Sequence, residues 1–202
     1  MLTLTRREGE SIAIGDDIEI TIVDIGRGKV RVGIVAPRQM AILRSEVLER
    51  IVEENQRAAG ALSPTPDDGV EAGRIVFANG LPGLRDHRTF TLTEVPSHPT
   101  LRGLVSETDP LVRLLLCDAS LAMPGYPLAL AKQRAGLSDE EVAVAVVLTL
   151  PRDGRAPSVN LLAPLVIGLA SQRGEQVILD GSGLSARHEL TLGAEEPLAY
   201  AI

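Results

Sequence analysis

Aromatic side chains are almost missing from this chain: its 202 residues hold two Phe, two Tyr and no Trp. A hydrophobic content of 45% is ample for a core, but that core has to be aliphatic. The aromatic platforms on which proteins commonly stack unpaired bases are nearly excluded, so a single-stranded nucleic acid would have to be held by other contacts. Cysteine occurs once, at Cys117, which rules out an internal disulfide and fits a cytoplasmic protein. The opening MLTLTRREGE has no apolar run of signal-peptide length, and no stretch approaches the ~18 consecutive apolar residues of a membrane span. A soluble, cytoplasmic chain with no membrane partner is expected.

Positive charge is also short. The net charge is −7, and it is unevenly spread. Residues 1–60 carry 9 Lys+Arg against 10 Asp+Glu, whereas residues 61–202 carry 11 against 17. Phosphate attachment over a broad surface needs cations, so the second part suits a protein partner better than a nucleic acid.

A catalytic constellation is missing as well. His87, His98 and His188 are widely spaced, with no Cys or His at metal-ligand spacing. Cys117 follows the apolar run Leu114-Leu115-Leu116 and reads as packing rather than as a nucleophile. Asp180-Gly181-Ser182-Gly183 is a loop and lacks the G-x-S-x-G of a nucleophile elbow. Asp139, Glu140 and Glu141 read as a solvated helix start. No enzyme, metal or cofactor is expected.

What the first sixty residues do contain is alternation. Leu2, Leu4 and Arg6 alternate with Thr3, Thr5 and Arg7 in a first expected strand, and Ser11 to Ile14 form a second, closed by Gly15-Asp16-Asp17. Ile18, Ile20 and Ile22 alternate with Glu19, Thr21 and Val23, and Gly26-Arg27-Gly28 is the next turn. Val30, Val32 and Ile34 make a fourth strand, broken by Ala36-Pro37, and Met40 to Arg44 a fifth. A helix then starts near Ser45, with Val47, Leu48, Ile51 and Val52 as an apolar stripe that turns polar at Asn55 and stops near Gly60. Sixty residues of short strands bury little surface and leave sheet edges open; a two-fold dimer that shares strands relieves both problems.

MLTLTRREGE, IGDDIEI, VRVGIVAP and Ile42-Leu43-Arg44 resemble, in order and spacing, the CsrA family of carbon storage regulators. The resemblance implies an intertwined homodimer that binds mRNA hairpins with GGA in the loop and controls translation. In the family the first strand of one protomer lies beside the last strand of the other, creating two equivalent RNA sites. The matching residues are Leu4, Thr5, Arg6 and Arg7, then Ile42, Arg44 and Val47, with backbone groups around Ala36, Pro37 and Arg38. Guanidinium groups and exposed backbone edges suit phosphates and unstacked loop bases without any aromatic. Two departures bear on affinity: Leu43 stands where the family commonly has His, and Glu8 places a carboxylate beside the arginine pair.

Residues 61–73, ALSPTPDDGVEAG, read as a linker of roughly 20 Å mean span between a domain at 1–60 and another at 74–202. The second domain again shows short apolar or alternating runs: RIVFANGLPGL, FTLTEVP, LVRLLLCDA, VAVAVVLTLP and QVILDG. A short helix is expected from Leu137 to Glu141. Such a series suggests an antiparallel barrel or sandwich. Phe77 with Gly80-Leu81-Pro82-Gly83, Pro124 with Tyr126, VNLLAPLV at 159–166, Gly174 with Gln176, and Arg187-His188 resemble the FliW family of flagellar assembly factors. Leu84 and Ser185 depart from it, standing where aromatics are usual. The resemblance implies a non-catalytic β-barrel-like domain with two competing partners, CsrA and flagellin.

The expected architecture is therefore mainly β: a CsrA-like intertwined five-stranded dimer with a C-terminal helix, followed by a FliW-like antiparallel β-barrel. Glu53, Glu54, Asn55, Arg57, Ala58 and Ala59 resemble the tail by which CsrA proteins dock on FliW, and Val52, Glu53, Asn55, Gln56 and Arg57 are the expected docking residues. Fusion makes docking intramolecular or across the dimer. The expected function is a repressor-type regulator antagonised by its own second domain and relieved by flagellin. The alternative is a dimeric flagellin-binding module in flagellum biogenesis whose RNA binding is weak or lost.

Overall fold

A computed structural model describes residues 1–37, 40, 42–61, 71–95, 98–150 and 155–190, and the chain divides into two compact units, Met1–Ile42 and Leu43–Ile202. The expected linker falls largely in 62–70, outside the described residues.

The first unit is a meander of β1 (Ser11–Ile14), β2 (Ile18–Gly26) and β3 (Lys29–Val35), antiparallel in that order. Register places Ile20 opposite Ile34, Ile22 opposite Val32 and Ile25 opposite Val30, with a bulge between Ile22 and Asp24. Ahead of β1, Gly9 N donates to Ile22 O at 2.7 Å and Ile22 N to Glu10 O at 3.0 Å. The expected first strand, Leu2 to Arg7, and the described part of the fifth, Met40 to Arg44, take no strand pairing here. The reason is physical: a strand needs a hydrogen-bonding neighbour, and the described residues of this one chain give those two segments none. The chain therefore forms three of the five expected strands. None of its described residues up to Ile42 is buried.

The second unit opens with α1 (Ser45–Ala61). Ser45 is itself helical and Arg44 holds the cap position, its carbonyl accepting from Val47 N at 3.0 Å and Leu48 N at 3.1 Å. Then come β4 (Glu71–Val76), β5 (Thr89–Glu94), β6 (Leu101–Ser106) and β7 (Arg113–Asp118). The short helix α2 (Ala119–Ala122) and α3 (Leu128–Ala135) precede β8 (Val142–Thr149). The last strands are β9 (Ser158–Val159), β10 (Leu165–Gly168), β11 (Gly174–Gln176) and β12 (His188–Glu189). They form one antiparallel sheet in the order β11-β10-β8-β7-β6-β5-β4, with β9 joining β8 to β12. A single parallel bridge, Val76 to Arg173, brings the β4 end of the sheet to the turn before β11, so the sheet curls toward a barrel.

The helix expected at Leu137 to Glu141 is a turn at Ser138-Asp139 followed by a bend at Glu140; helical structure lies earlier, at α3, and ends at the left-handed Gly136. Glu140 is used differently: its carboxylate accepts from Ser171 N at 3.1 Å and Ser171 Oγ at 2.9 Å. The core is aliphatic, as the composition requires. Its two Phe, Phe77 and Phe90, meet edge to face at 5.6 Å between ring centres.

Candidate functional site

The helix α1 lies against the sheet with one face fully covered. Val47, Ile51, Glu54, Asn55, Ala58 and Ala59 are buried, at spacings of 4, 3, 1, 3 and 1, which trace a single stripe of an α-helix. At its start Val47 and Ile51 pack with Leu162, Ala163, Ile178 and Ala186. At its end Ala58 and Ala59 enter the cluster of Ile75, Phe77, Leu81 and Leu165. The sequence reading ends the apolar stripe at Asn55; packing continues it through Ala59, because small alanines let the helix approach closely.

Two polar residues sit in the middle of that buried stripe, and both are satisfied. Asn55 is 0% exposed. Its Nδ2 donates to Pro82 O at 2.8 Å and to Gln176 Oε1 at 2.7 Å, and Gln176 Nε2 returns a bond to Asn55 Oδ1 at 3.2 Å. Gln176 Nε2 also donates to Ala163 O at 3.0 Å, so the amide pair ties the helix to two loops. Glu54, 3% exposed, accepts through Oε1 from Arg187 Nε at 3.1 Å, from Arg187 Nη2, and from Arg57 Nη1 at 2.9 Å. Burial raises the Glu54 carboxyl above the ordinary carboxylate value, and Arg187 opposes that rise. Gln56 is exposed, yet its Nε2 donates to Gly83 O at 3.4 Å. Val52 is half-buried and meets the Gly83 position; Glu53 faces solvent.

The residues expected to contact RNA divide between the units. Leu4, Thr5, Arg6, Arg7, Ala36, Pro37 and Ile42 belong to the first, and Arg44 and Val47 to the second; Arg38 lies outside the described residues. Arg6 Nε donates to Ser11 O at 3.2 Å and Nη1 to Thr5 O at 3.0 Å, while Arg7 N donates to Glu10 Oε2 at 2.7 Å. Arg44 Nε faces Asp180 Oδ2 at 3.5 Å. Among the described residues no three His, Cys, Asp or Glu gather as metal ligands.

Residues 1–53 match the family model described as CsrA, global regulator protein family, and residues 55–190 match that of the FliW protein. The chain belongs to both families. The translational regulator CsrA of Syntrophomonas wolfei is 63% identical over 59 residues, 29% of this chain and 78% of that protein. Those of Clostridium novyi and Leptospira biflexa are 55% and 53% identical over 58 and 60 residues, covering 29% and 30% of this chain and 81% and 76% of theirs. A crystal structure of the flagellar assembly factor FliW is 25% identical with a TM-score of 0.48, over 63% of this chain and 89% of that one.

The seam between the CsrA and FliW matches falls inside α1, between Glu53 and Asn55. The helix is one element built from both. The FliW motifs acquire physical roles around it. Pro82 supplies a carbonyl to Asn55, and Leu81 is fully buried beneath Ala58 and Ala59. In VNLLAPLV, Ala163 lies under the helix, and its N–H donates to Asn160 Oδ1 at 3.0 Å. Tyr126 Oη donates to Leu161 O at 2.6 Å; burial pushes its phenol far above the ordinary range. The sequence reading has Glu54 in the docking tail without naming it among the docking residues; its burial and its bonds to Arg187 add it. The 3-4 spacing from Val47 through Ile51 is the signal that points to it.

Glu54 gives the docked helix a pH dependence. In a released helix the carboxylate would be solvated and titrate normally, whereas docked it titrates higher. Protonation therefore favours docking: the gain is complete below the ordinary value and is lost as pH rises through the docked one. Amides of α1 should show more protection at pH 5 than at pH 7, after correction for intrinsic exchange, and Glu54→Gln should flatten the difference. Weaker protection at pH 5 would contradict this assignment.

Proposed function

We propose that this chain is a post-transcriptional regulator that binds GGA-loop mRNA hairpins through its CsrA half and is antagonised by its own FliW half. The observation that carries the reading is the seat of α1: a helix begun by CsrA sequence is buried in the FliW-family unit, with Asn55 fully enclosed. The relatives over residues 1–60 are named translational regulators, which supports the RNA half. RNA contacts are assigned to Leu4, Thr5, Arg6, Arg7, Ala36, Pro37, Arg38, Ile42, Arg44 and Val47, and docking to Val52, Glu53, Asn55, Gln56 and Arg57, to which Glu54 is added. Flagellin is the competitor expected to release the helix, and flagellar transcripts are the expected targets.

Dimerisation through the CsrA half is part of the proposal. Leu4, Ile25, Val30, Val32, Ile34 and Ile42 are all exposed in the single chain, and no described residue of that unit is buried. Exposed large aliphatic side chains in this number suit an interface. A second copy, pairing its strands with Leu2 to Arg7 and Met40 to Arg44, would supply the missing core.

The test is binding of a GGA-loop hairpin to residues 1–60 and to the full chain, side by side across a salt series. The fragment is expected to bind as a dimer and more tightly than the full chain by about 5–150-fold, the range of a typical coupling of ~1–3 kcal/mol. Equal binding by both would overturn self-antagonism. No binding by either would favour the dimeric flagellin-binding module.

A further inference from the structure

We infer that Asp180 acts as an internal stand-in for an RNA phosphate, drawing Arg44 out of the RNA site while α1 is docked. The inference rests on the self-antagonised reading above and specifies how antagonism reaches the RNA-binding side chains. Arg44 is the one RNA-assigned arginine that falls in the second unit. Three features hold it there. Its guanidinium faces the Asp180 carboxylate at 3.5 Å. Its carbonyl caps α1, accepting from Val47 N and Leu48 N. Its neighbours Leu43 and Val47 pack into the same cluster as Leu162, Ile178 and Leu184. Ile178 and Leu184 bracket the loop Asp180-Gly181-Ser182-Gly183, which is held as a turn by Ser182 N donating to Leu179 O and Leu184 N donating to Ser182 Oγ.

The chemistry is a competition between oxyanions. A carboxylate and a phosphate offer a guanidinium the same kind of acceptor, so the two occupy Arg44 in turn. Arg44 is 64% exposed at its side chain and Asp180 21%, so the pair is solvent-screened and displaceable rather than locked. Exposed pairs of this kind shift an equilibrium by up to about fivefold. The Asp180 pair is therefore one part of the antagonism, acting on top of the burial of Val47, and a docked chain keeps some RNA affinity that responds to this one charge.

The experiment uses the full chain and a GGA-loop hairpin. Asp180→Asn is expected to tighten RNA binding by about two- to fivefold while exchange of α1 amides stays as in the wild type. The gain is expected to vanish in an Arg44→Gln background, because it passes through that guanidinium. Asp180→Ser gives the same readout should the asparagine variant melt early. An unchanged RNA affinity in the Asp180 variants, with Asn55→Leu raising it, overturns this inference and leaves self-antagonism standing. A gain that persists in the Arg44→Gln background also overturns it, since it would reflect the general field. If neither the Asp180 nor the Asn55 variants change RNA affinity, self-antagonism itself fails.

Discussion

Asn55→Leu in the full chain should release α1 and raise affinity for a GGA-loop hairpin toward that of residues 1–60. Leucine is close to asparagine in size, so the change removes hydrogen bonds more than it alters volume. Three bonds are lost; the half-buried Pro82 carbonyl and the buried Gln176 Oε1 lose their donor, while Gln176 Nε2 keeps its bond to Ala163 O. Each stranded group costs about 1–3 kcal/mol, and the released helix, with water around it, pays none of this. Against that stands the tether, which holds the helix at an effective concentration on the order of mM. Two stranded groups together are enough to offset it. The expected readout is a rise in RNA affinity of about 5–150-fold, together with faster amide exchange along α1. In residues 1–60 alone the same substitution should leave RNA binding as it was, because its partners are absent there. A matching loss in fragment and full chain would mean that Asn55 serves the CsrA fold or the RNA directly.

Much of this is legible in the sequence, for identifiable reasons. The β2 and β3 strands follow from the alternation of Ile18, Ile20 and Ile22 and of Val30, Val32 and Ile34, and the register that pairs Ile20 with Ile34 keeps those faces together. The GLPG and NLLAPLV motifs marked the two loops that grip α1, though only packing assigns them that role. The outer strands of the first unit were legible as pattern, but a strand is a relation between two segments, and one chain supplies only half of each pair. The polar break at Asn55 looked like the end of a buried face because a carboxylate and an amide are costly to bury unpaired. Their partners, Arg187 and Gln176, lie 133 and 121 residues away, beyond the reach of any local reading. The expected helix at Leu137 to Glu141 fails for a related reason: three carboxylates resemble a helix start, yet Glu140 accepts from the Ser171 turn.

Gly83→Ala should release the same helix by a different force, and this separates docking from folding. Gly83 has φ of +82°, and a Cβ there would lie 3.0 Å from Val52 O and 3.1 Å from Val52 Cγ1. Two costs follow. The left-handed backbone strains any L-residue by about 1–2 kcal/mol, whether or not α1 is present. The clash with Val52 arises only when α1 is docked, and the helix backbone cannot yield as a flexible side chain would. Gly80→Ala provides the comparison. Its φ is +65° and its Cβ would strike the Arg85 backbone at 2.6–2.7 Å, within its own loop. Both variants should lower the melting temperature of the FliW half. At temperatures where both remain folded, Gly83→Ala should raise RNA affinity the more, since it alone places an atom against the helix. Combined with Asn55→Leu, it should add almost nothing, because a helix already released has no contact left to lose. Full additivity of the two gains would show that they act on RNA binding by separate routes, and α1 docking would then not be their common cause.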